Sequence, residues 1–185
     1  MALLHDATVT PSKRELIEAW LPSQAWAADL PALRPFGSYR LDDPAGEVGI
    51  EGILLRSEDN SVVVHTPLTY RAAPLQGAEE HLLGTTEHSV LGTRWVYDAT
   101  ADPVFATALT DTVVDAGTGA VEYFEVDGER VTREPSVQVV GSGGAPGEVA
   151  VVRVVGEDIG ADAVLTGTWA DGSGVLAGLR SAGSR

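Results

Sequence analysis

Residues 67–105 read PLTYRAAPLQGAEEHLLGTTEHSVLGTRWVYDATADPVF, and they alternate strand-like runs with glycine and proline before the chain enters a helix. The run Thr93–Tyr97 is rich in β-branched and aromatic residues, which favour strands. Leu82–His88 is predicted to be strand or turn. Asp102 and Pro103 then supply an N-cap and a first helical residue. The stretch therefore predicts sheet residues that lead directly into a helix.

Two helices are predicted in the chain. The first begins at a capping box formed by Ser12 and Glu15, and it ends before Pro22. The second follows the stretch above and ends at Gly117 or Gly119. The residues predicted to face the core are Leu16, Ile17 and Trp20 in the first helix and Phe105, Ala108, Leu109 and Val113 in the second.

The rest of the chain is predicted to form strands and turns. A hairpin is predicted around a turn at Ser57–Asn60, and apolar residues on both sides of its strands indicate that both faces are covered. Asp127-Gly128 is a hairpin signal, and Gly141–Gly147 is predicted to be a flexible link. Further strands are predicted over residues 3–9, 37–41, 121–126, 137–140, 149–155, 163–168 and 174–179. Two helices and about eight to ten strands favour an α+β fold, a predominantly antiparallel sheet with both helices packed on it.

The composition narrows the classes of function. The 185 residues include 12 Lys and Arg against 27 Asp and Glu, which gives a net charge of −15. Such a charge repels polyanions, so nucleic acid and anionic membranes are not expected as partners. The absence of Cys excludes disulfides, thiolate metal sites and Cys nucleophiles. No signal peptide and no apolar run of 18 residues is visible, so we expect a cytoplasmic protein.

The densest group of potential metal ligands comprises Glu79, Glu80, His81, Glu87 and His88. Neighbouring residues on a strand point to opposite faces of a sheet, and the spacing H-E-x-x-H is absent. A polar loop explains these residues better than a metal site, so no metal is predicted.

The sequence matches two catalytic patterns only in part. His88 and Ser89 with Asp98 or Asp102 suggest a triad, but the G-x-S-x-G elbow is absent and adjacent Ser and His rarely meet in hydrogen-bond geometry. Gly141–Gly144 suggests a phosphate loop, but it lacks the Lys and the following helix that such loops use. The residues therefore predict no catalytic group and no cofactor.

Aromatic and polar residues in the opening stretch could instead bind a sugar, because aromatic faces stack on sugar rings while planar polar groups bind hydroxyls. The alternative is that these aromatic residues only pack in the core and at its rim. We also expect Glu87 and Arg94 to approach each other across a turn near Leu91-Gly92. The candidate ligand-binding residues are Tyr70, Arg71, Glu87, His88, Arg94, Trp95 and Asp98.

Several segments resemble the N-terminal cap domain of actinobacterial maltokinases. The Gly77–Glu80 run, the Asp98–Pro103 entry into a helix and the Leu21–Trp26 segment carry this resemblance. Leu68–Arg71 and Gly84–Trp95 look closer still to short, stand-alone relatives of that cap, some of which are labelled as glucan-branching proteins. Caps of this family sit on the N-lobe of a kinase-like enzyme that phosphorylates maltose in the route from trehalose to glycogen.

The resemblance covers residues 1 to about 115 well and the tail weakly. We therefore place a cap-like domain at residues 1–130 and a C-terminal β extension at residues 131–185, expected to continue the same domain. The chain is too short for kinase lobes or for the barrel of a branching enzyme, and its single lysine, Lys13, lies in the first helix. Neither activity is predicted.

Two functions from different classes follow. The first is a non-catalytic interaction or regulatory module that binds an enzyme of maltose, trehalose or glycogen metabolism. The second is a small-molecule binder, with a sugar as the ligand. A weaker third possibility is an accessory of a glucan-active enzyme, as the label of the short relatives suggests.

Overall fold

The computed structural model describes residues 2–3, 8–126 and 129–181. Both predicted helices are present, as α1 at Lys13–Trp20 and α2 at Pro103–Val114. No helix within these ranges is long and apolar enough to cross a membrane. The strands are β1 Ala2–Leu3, β2 Val9–Thr10, β3 Leu33–Leu41, β4 Gly49–Ser57, β5 Val63–Arg71, β6 Leu82–His88, β7 Gly92–Asp98, β8 Glu122–Val126, β9 Glu129–Arg133, β10 Gln138–Gly141, β11 Glu148–Val151, β12 Ala163–Trp169 and β13 Gly172–Arg180.

These strands form sheets of six, four and three strands. The six-stranded sheet, in the order β2-β6-β7-β5-β4-β3, is antiparallel throughout. The predicted α+β class with mostly antiparallel strands is confirmed. The described strands exceed the predicted eight to ten, partly because β1 and β2 are separate pieces only two residues long. Residues 4–7 of the strand predicted at 3–9 lie outside the described residues.

Helix α1 covers one face of the six-stranded sheet. The predicted capping box is confirmed, with Ser12 accepting from the Glu15 amide and the Glu15 carboxylate accepting from the Ser12 amide. This arrangement satisfies amides that the first helical turn leaves without partners. The apolar side of α1 packs on the sheet to form a first core, which includes Leu16, Ile17, Ile53, Leu55, Val64, Leu68 and Val96.

Helix α2 and the four-stranded sheet cover the opposite face. Asp102 caps α2 by accepting from the Val104 amide, and Pro103 is its first residue, as predicted. The four-stranded sheet, in the order β10-β12-β13-β11, packs against α2. Its residues share a second core with α2 and the six-stranded sheet, which includes Tyr39, Ile50, Leu54, Phe105, Leu109, Val113, Val139, Leu165, Leu176 and Leu179.

The third sheet is small. In it β8 pairs with β9 in antiparallel register and with β1 in parallel register. The predicted hairpin turn at Asp127-Gly128 lies outside the described residues, although the strands on either side of it pair.

Two predictions about loops are wrong. The stretch Gly141–Gly147 is anchored rather than flexible, because the amides of Gly141, Ser142 and Gly143 donate to the carbonyls of Gly117, Val164 and Val113. Helix α2 was predicted to end at Gly117 or Gly119, but it ends at Val114. The residue in the left-handed conformation after it is Ala116, with φ of 51°.

Candidate ligand-binding cleft

A cleft of about 610 Å³ opens beside the N-terminus of α1, on the face of the six-stranded sheet that α1 covers. The loop that joins β3 to β4 forms one rim, and β8 and β9 form another. The charged and aromatic side chains and the histidine that line the cleft are Lys13, Arg40, Asp42, Asp43, Glu47, Tyr70, His88, Arg94, Tyr123, Phe124 and Arg133.

Strand register explains why residues far apart in sequence meet here. Arg40 lies opposite Glu51, and Thr86 lies opposite Arg94. Tyr70 lies opposite Val96, two residues along the strand from Arg94. Directly paired residues, and residues two apart on a strand, project from the same face of a sheet. Antiparallel pairing therefore places these groups side by side.

Glu51 holds three side chains of the cleft, although it is not itself a lining residue. It is 5% exposed, and its carboxylate accepts from Lys13 Nζ at 2.5 Å and from the Tyr70 hydroxyl at 3.0 Å. An Arg40 nitrogen lies 3.6 Å from the same oxygen. Burial alone would raise the pKa of Glu51, but the Lys13 and Arg40 charges outweigh it and lower that pKa. Glu51 is thus a paired anion that fixes Lys13, Arg40 and Tyr70 in place.

Two arginines face the cleft without such partners. Among the described residues, neither Arg94 nor Arg133 has a carboxylate within ion-pair distance or a side-chain hydrogen bond. Arg133 lies opposite Glu122 in the β8–β9 register. Glu122 is 4% exposed, and burial raises its pKa even though Arg40 and Arg133 act to lower it.

The β3–β4 loop has a defined shape because of Asp43. Its carboxylate accepts from the amides of Ala45, Glu47 and Val48, at 2.9 to 3.0 Å. Gly46, at φ of 70°, supplies a backbone conformation that side chains disfavour. These bonds hold one rim of the cleft.

The structure brings together three of the seven candidate ligand-binding residues. Tyr70, His88 and Arg94 line the cleft. His88 Nδ1 accepts from the amides of Val90 and Leu91, so the ring also holds the turn between β6 and β7.

The other four candidates lie elsewhere. Arg71 forms a bidentate pair with Asp102, at 2.7 Å for both bonds. Asp98 is bound by Arg153. Trp95 is paired with Arg71 across β5 and β7, and Glu87 accepts from Thr93 at 2.7 Å.

Alternation along the strands separates these residues. Tyr70 and Arg71, Glu87 and His88, and Arg94 and Trp95 are neighbours in sequence, so one member of each pair projects from each face. The expected approach of Glu87 to Arg94 is wrong for the same reason, because Glu87 lies opposite Thr93 while Arg94 lies opposite Thr86. The turn itself falls where it was expected, at residues 89–91.

Residues 20–102 match the family model of the maltokinase N-terminal cap domain. This segment is similar to that domain. No curated protein matches the chain. The cap-related segment begins at the last residue of α1, contains β3 to β7 of the six-stranded sheet and ends at the N-cap of α2.

The cap-related segment supplies most of the cleft, but not all of it. Arg40, Glu51, Tyr70, His88 and Arg94 fall within the matched residues. Lys13 on α1 and the residues of β8 and β9 come from outside the match.

Sequence reasoning missed several residues that line the cleft, namely Lys13, Arg40, Asp43, Tyr123 and Arg133, and it missed Glu51, which binds two of them. The only available signal was alternation along β3 and β4, which places Arg40 and Glu51 on one face only once the strand register is known. Among the described residues, no group of three or more His, Asp or Glu could hold a metal ion.

Proposed function

We propose that this chain is a non-catalytic interaction or regulatory module of the cytoplasm, which binds an enzyme of maltose, trehalose or α-glucan metabolism. The match of residues 20–102 to the maltokinase N-terminal cap domain carries this proposal. A domain named as the cap of a kinase is a unit that contacts a larger enzyme, and the chain retains that unit.

The edge of the small sheet offers a surface for such contact. All five residues of β9 are exposed, and among the described strands β9 pairs only with β8. Val131, at its centre, is 49% exposed. An unpaired edge strand can accept a strand from a partner, with main-chain hydrogen bonds supplying affinity.

The state of Lys13 supports a non-catalytic role. Kinases use a lysine to bind nucleotide phosphates, and Lys13 is the only lysine in the chain. Its ammonium is held by the buried Glu51. The ammonium group of Lys13 therefore forms a structural ion pair.

The test is co-purification from the source cell with the whole chain as bait, followed by mass spectrometry. We expect a maltokinase, a trehalose synthase or a glycogen enzyme at matched stoichiometry. Val131→Asp should abolish recovery, because it places a charge on the proposed edge. Val140→Asp is the matched control, since Val140 is 50% exposed on β10. Elution of the chain alone, or equal loss with both variants, would contradict the proposal.

A second candidate function is small-molecule binding in the cleft, with a sugar as ligand. It is favoured by the juxtaposition of two tyrosine rings, Tyr70 and Tyr123, with Arg94 and His88 in one concavity. Calorimetry with maltose and trehalose tests it. Arg94→Gln should weaken binding, whereas Trp95→Ala should not, because Trp95 does not line the cleft.

A further inference from the structure

We propose that the cleft binds a small ligand through an oxyanion group, of the phosphate type, and that Arg94 and Arg133 receive that group. The inference rests on the second candidate function, ligand binding in the cleft, and it adds the charge class of the ligand. It is carried by two arginines that line one cleft and that form no ion pair within 4.0 Å with any carboxylate of the described residues.

The basic side chains of the cleft differ in whether a carboxylate pairs with them. Acidic residues outnumber basic ones by 27 to 12, so carboxylate partners are abundant. Within the described residues the paired cations are Lys13, Arg14, Arg40, Arg56, Arg71 and Arg153. Two of these, Lys13 and Arg40, line the cleft and share Glu51. Arg94 and Arg133 line the same cleft, and neither forms an ion pair within 4.0 Å in the part of the chain that the structure describes.

Three acidic residues in or near the cleft, Asp43, Glu51 and Glu122, form no ion pair within 4.0 Å with either arginine. Asp43 directs its carboxylate at three backbone amides of its own loop. Glu51 is satisfied by Lys13, Arg40 and Tyr70. Glu122 acts on Arg133 through space, but burial raises its pKa and so weakens its negative charge as the pH falls.

The backbone of Arg94 is held in the sheet. Arg94 is half-buried on β7, where antiparallel pairing with β6 holds its backbone. A guanidinium offers a planar set of N–H donors that matches two oxygens of a phosphate or carboxylate, and such charge-assisted bonds are among the stronger ones in proteins. Arg133, exposed on β9, lines the same cleft.

The rest of the cleft suits an uncharged polar body attached to the oxyanion. Tyr70 and Tyr123 line the cleft, with Lys13 lying 5.5 Å from the centroid of the Tyr70 ring and Arg130 lying 4.8 Å from that of Tyr123. The rim also carries the carboxylate of Glu47, a group that accepts hydroxyl donors. Negative charge on that rim also disfavours a ligand that is anionic throughout. The arrangement therefore selects a molecule with one oxyanion end and one hydroxyl-bearing end.

Calorimetry of the whole chain with inorganic phosphate, at ionic strength held constant with chloride, tests the inference. Phosphate should bind, and Arg94→Gln and Arg133→Gln should each weaken it about ten-fold or more, because each removes charge-assisted hydrogen bonds. Arg34→Gln is the matched control. Arg34 is exposed on β3 and does not line the cleft, so this variant loses the same charge without touching the site. Thermal unfolding of every variant verifies the fold.

A parallel titration with maltose separates this inference from the function on which it rests. If maltose binds and phosphate does not, ligand binding in the cleft stands and the oxyanion inference is overturned. If neither binds, both are overturned. Equal weakening by Arg34→Gln would attribute phosphate binding to the general charge of the surface, and this also overturns the inference.

Discussion

At the scale of single residues, the acidic side chains of the Asp98–Pro103 segment support the fold. Asp98 is 4% exposed, receives Arg153 and caps a short helical turn through the Thr100 amide. Asp102 is 1% exposed, caps α2 and pairs with Arg71. Burial would raise the pKa of Asp102, but the hydrogen bonds from Arg71 and from the Val104 amide lower it. A motif that resembles a family signature thus has a structural role here.

Asp102→Ala should destabilise the fold by about 2–4 kcal/mol, because it removes a helix cap and leaves Arg71 without its partner. Ser12→Ala, which removes the cap of α1 without breaking an ion pair, should cost only about 1 kcal/mol. Urea unfolding measures both. Equal losses would show that the Arg71 pair adds nothing beyond the cap.

The buried His65 makes stability depend on pH. Its Nδ1 donates to the Leu176 carbonyl, so Nε2 accepts from the Tyr39 hydroxyl, both at 3.0 Å. Burial, helped by the nearby Arg153 charge, lowers its pKa to about 3 from 6.5. As the pH falls below 6.5 the unfolded chain binds this proton and the folded chain does not, so stability is lost.

Between pH 7 and 5.5 this group should remove about 1 kcal/mol from the free energy of unfolding. The measurement is urea unfolding at both pH values for the wild type and for His65→Gln, which cannot titrate. Other groups contribute equally to both proteins, so the difference between their pH slopes isolates His65. Parallel slopes would refute the assignment.

At the scale of elements, close backbone contacts explain why the Gly141–Gly147 stretch is rich in glycine. Three of its amides are hydrogen bonded to other elements. A Cβ on Gly141 would lie 2.2 Å from the Thr112 carbonyl oxygen, and one on Gly147 would lie 2.2 Å from that of Arg180. Glycine is needed here because backbones approach closely, whereas the sequence alone suggested a linker.

Gly141→Ala should therefore destabilise the protein by about 1–3 kcal/mol, since either α2 or β10 must shift. Gly49→Ala is the control within a strand. Its Cβ would lie 3.5 Å from the Tyr70 side chain, an ordinary contact, and we expect a change within about 0.5 kcal/mol. Thermal unfolding measures the stability of both variants. If Gly141→Ala left the stability unchanged, the stretch would be flexible, as its composition suggests.

At the scale of the whole molecule, the six-stranded sheet is buried on both faces. Helix α1 covers one face, while α2 and the four-stranded sheet cover the other. The C-terminal sheet contributes Val139, Leu165 and Leu176 to the second core. The His65 to Leu176 bond also joins the two sheets. These contacts support the proposal that residues 131–185 continue one domain.

A chain that ends at Arg133 tests this proposal. It lacks the four-stranded sheet and would expose Phe105, Leu109 and the facing side of the six-stranded sheet. We expect it to aggregate or to lose cooperative unfolding, because that apolar surface returns to water. A soluble, cooperatively unfolding fragment would instead show that the first 133 residues form an independent domain.

The sequence by itself determined the local structure. The caps of both helices, their buried faces, the turn at Ser57–Asn60 and the α+β class follow from short-range patterns, because capping, periodicity and turn chemistry act over a few residues. The tertiary structure decided the register of the strands, and with it which charged residues meet. Arg40 and Glu51 pair, Arg71 turns away from Tyr70, and Arg94 and Arg133 share a cleft because strands distant in sequence align. Alignment between distant strands is set by burial of two cores, which no local pattern encodes.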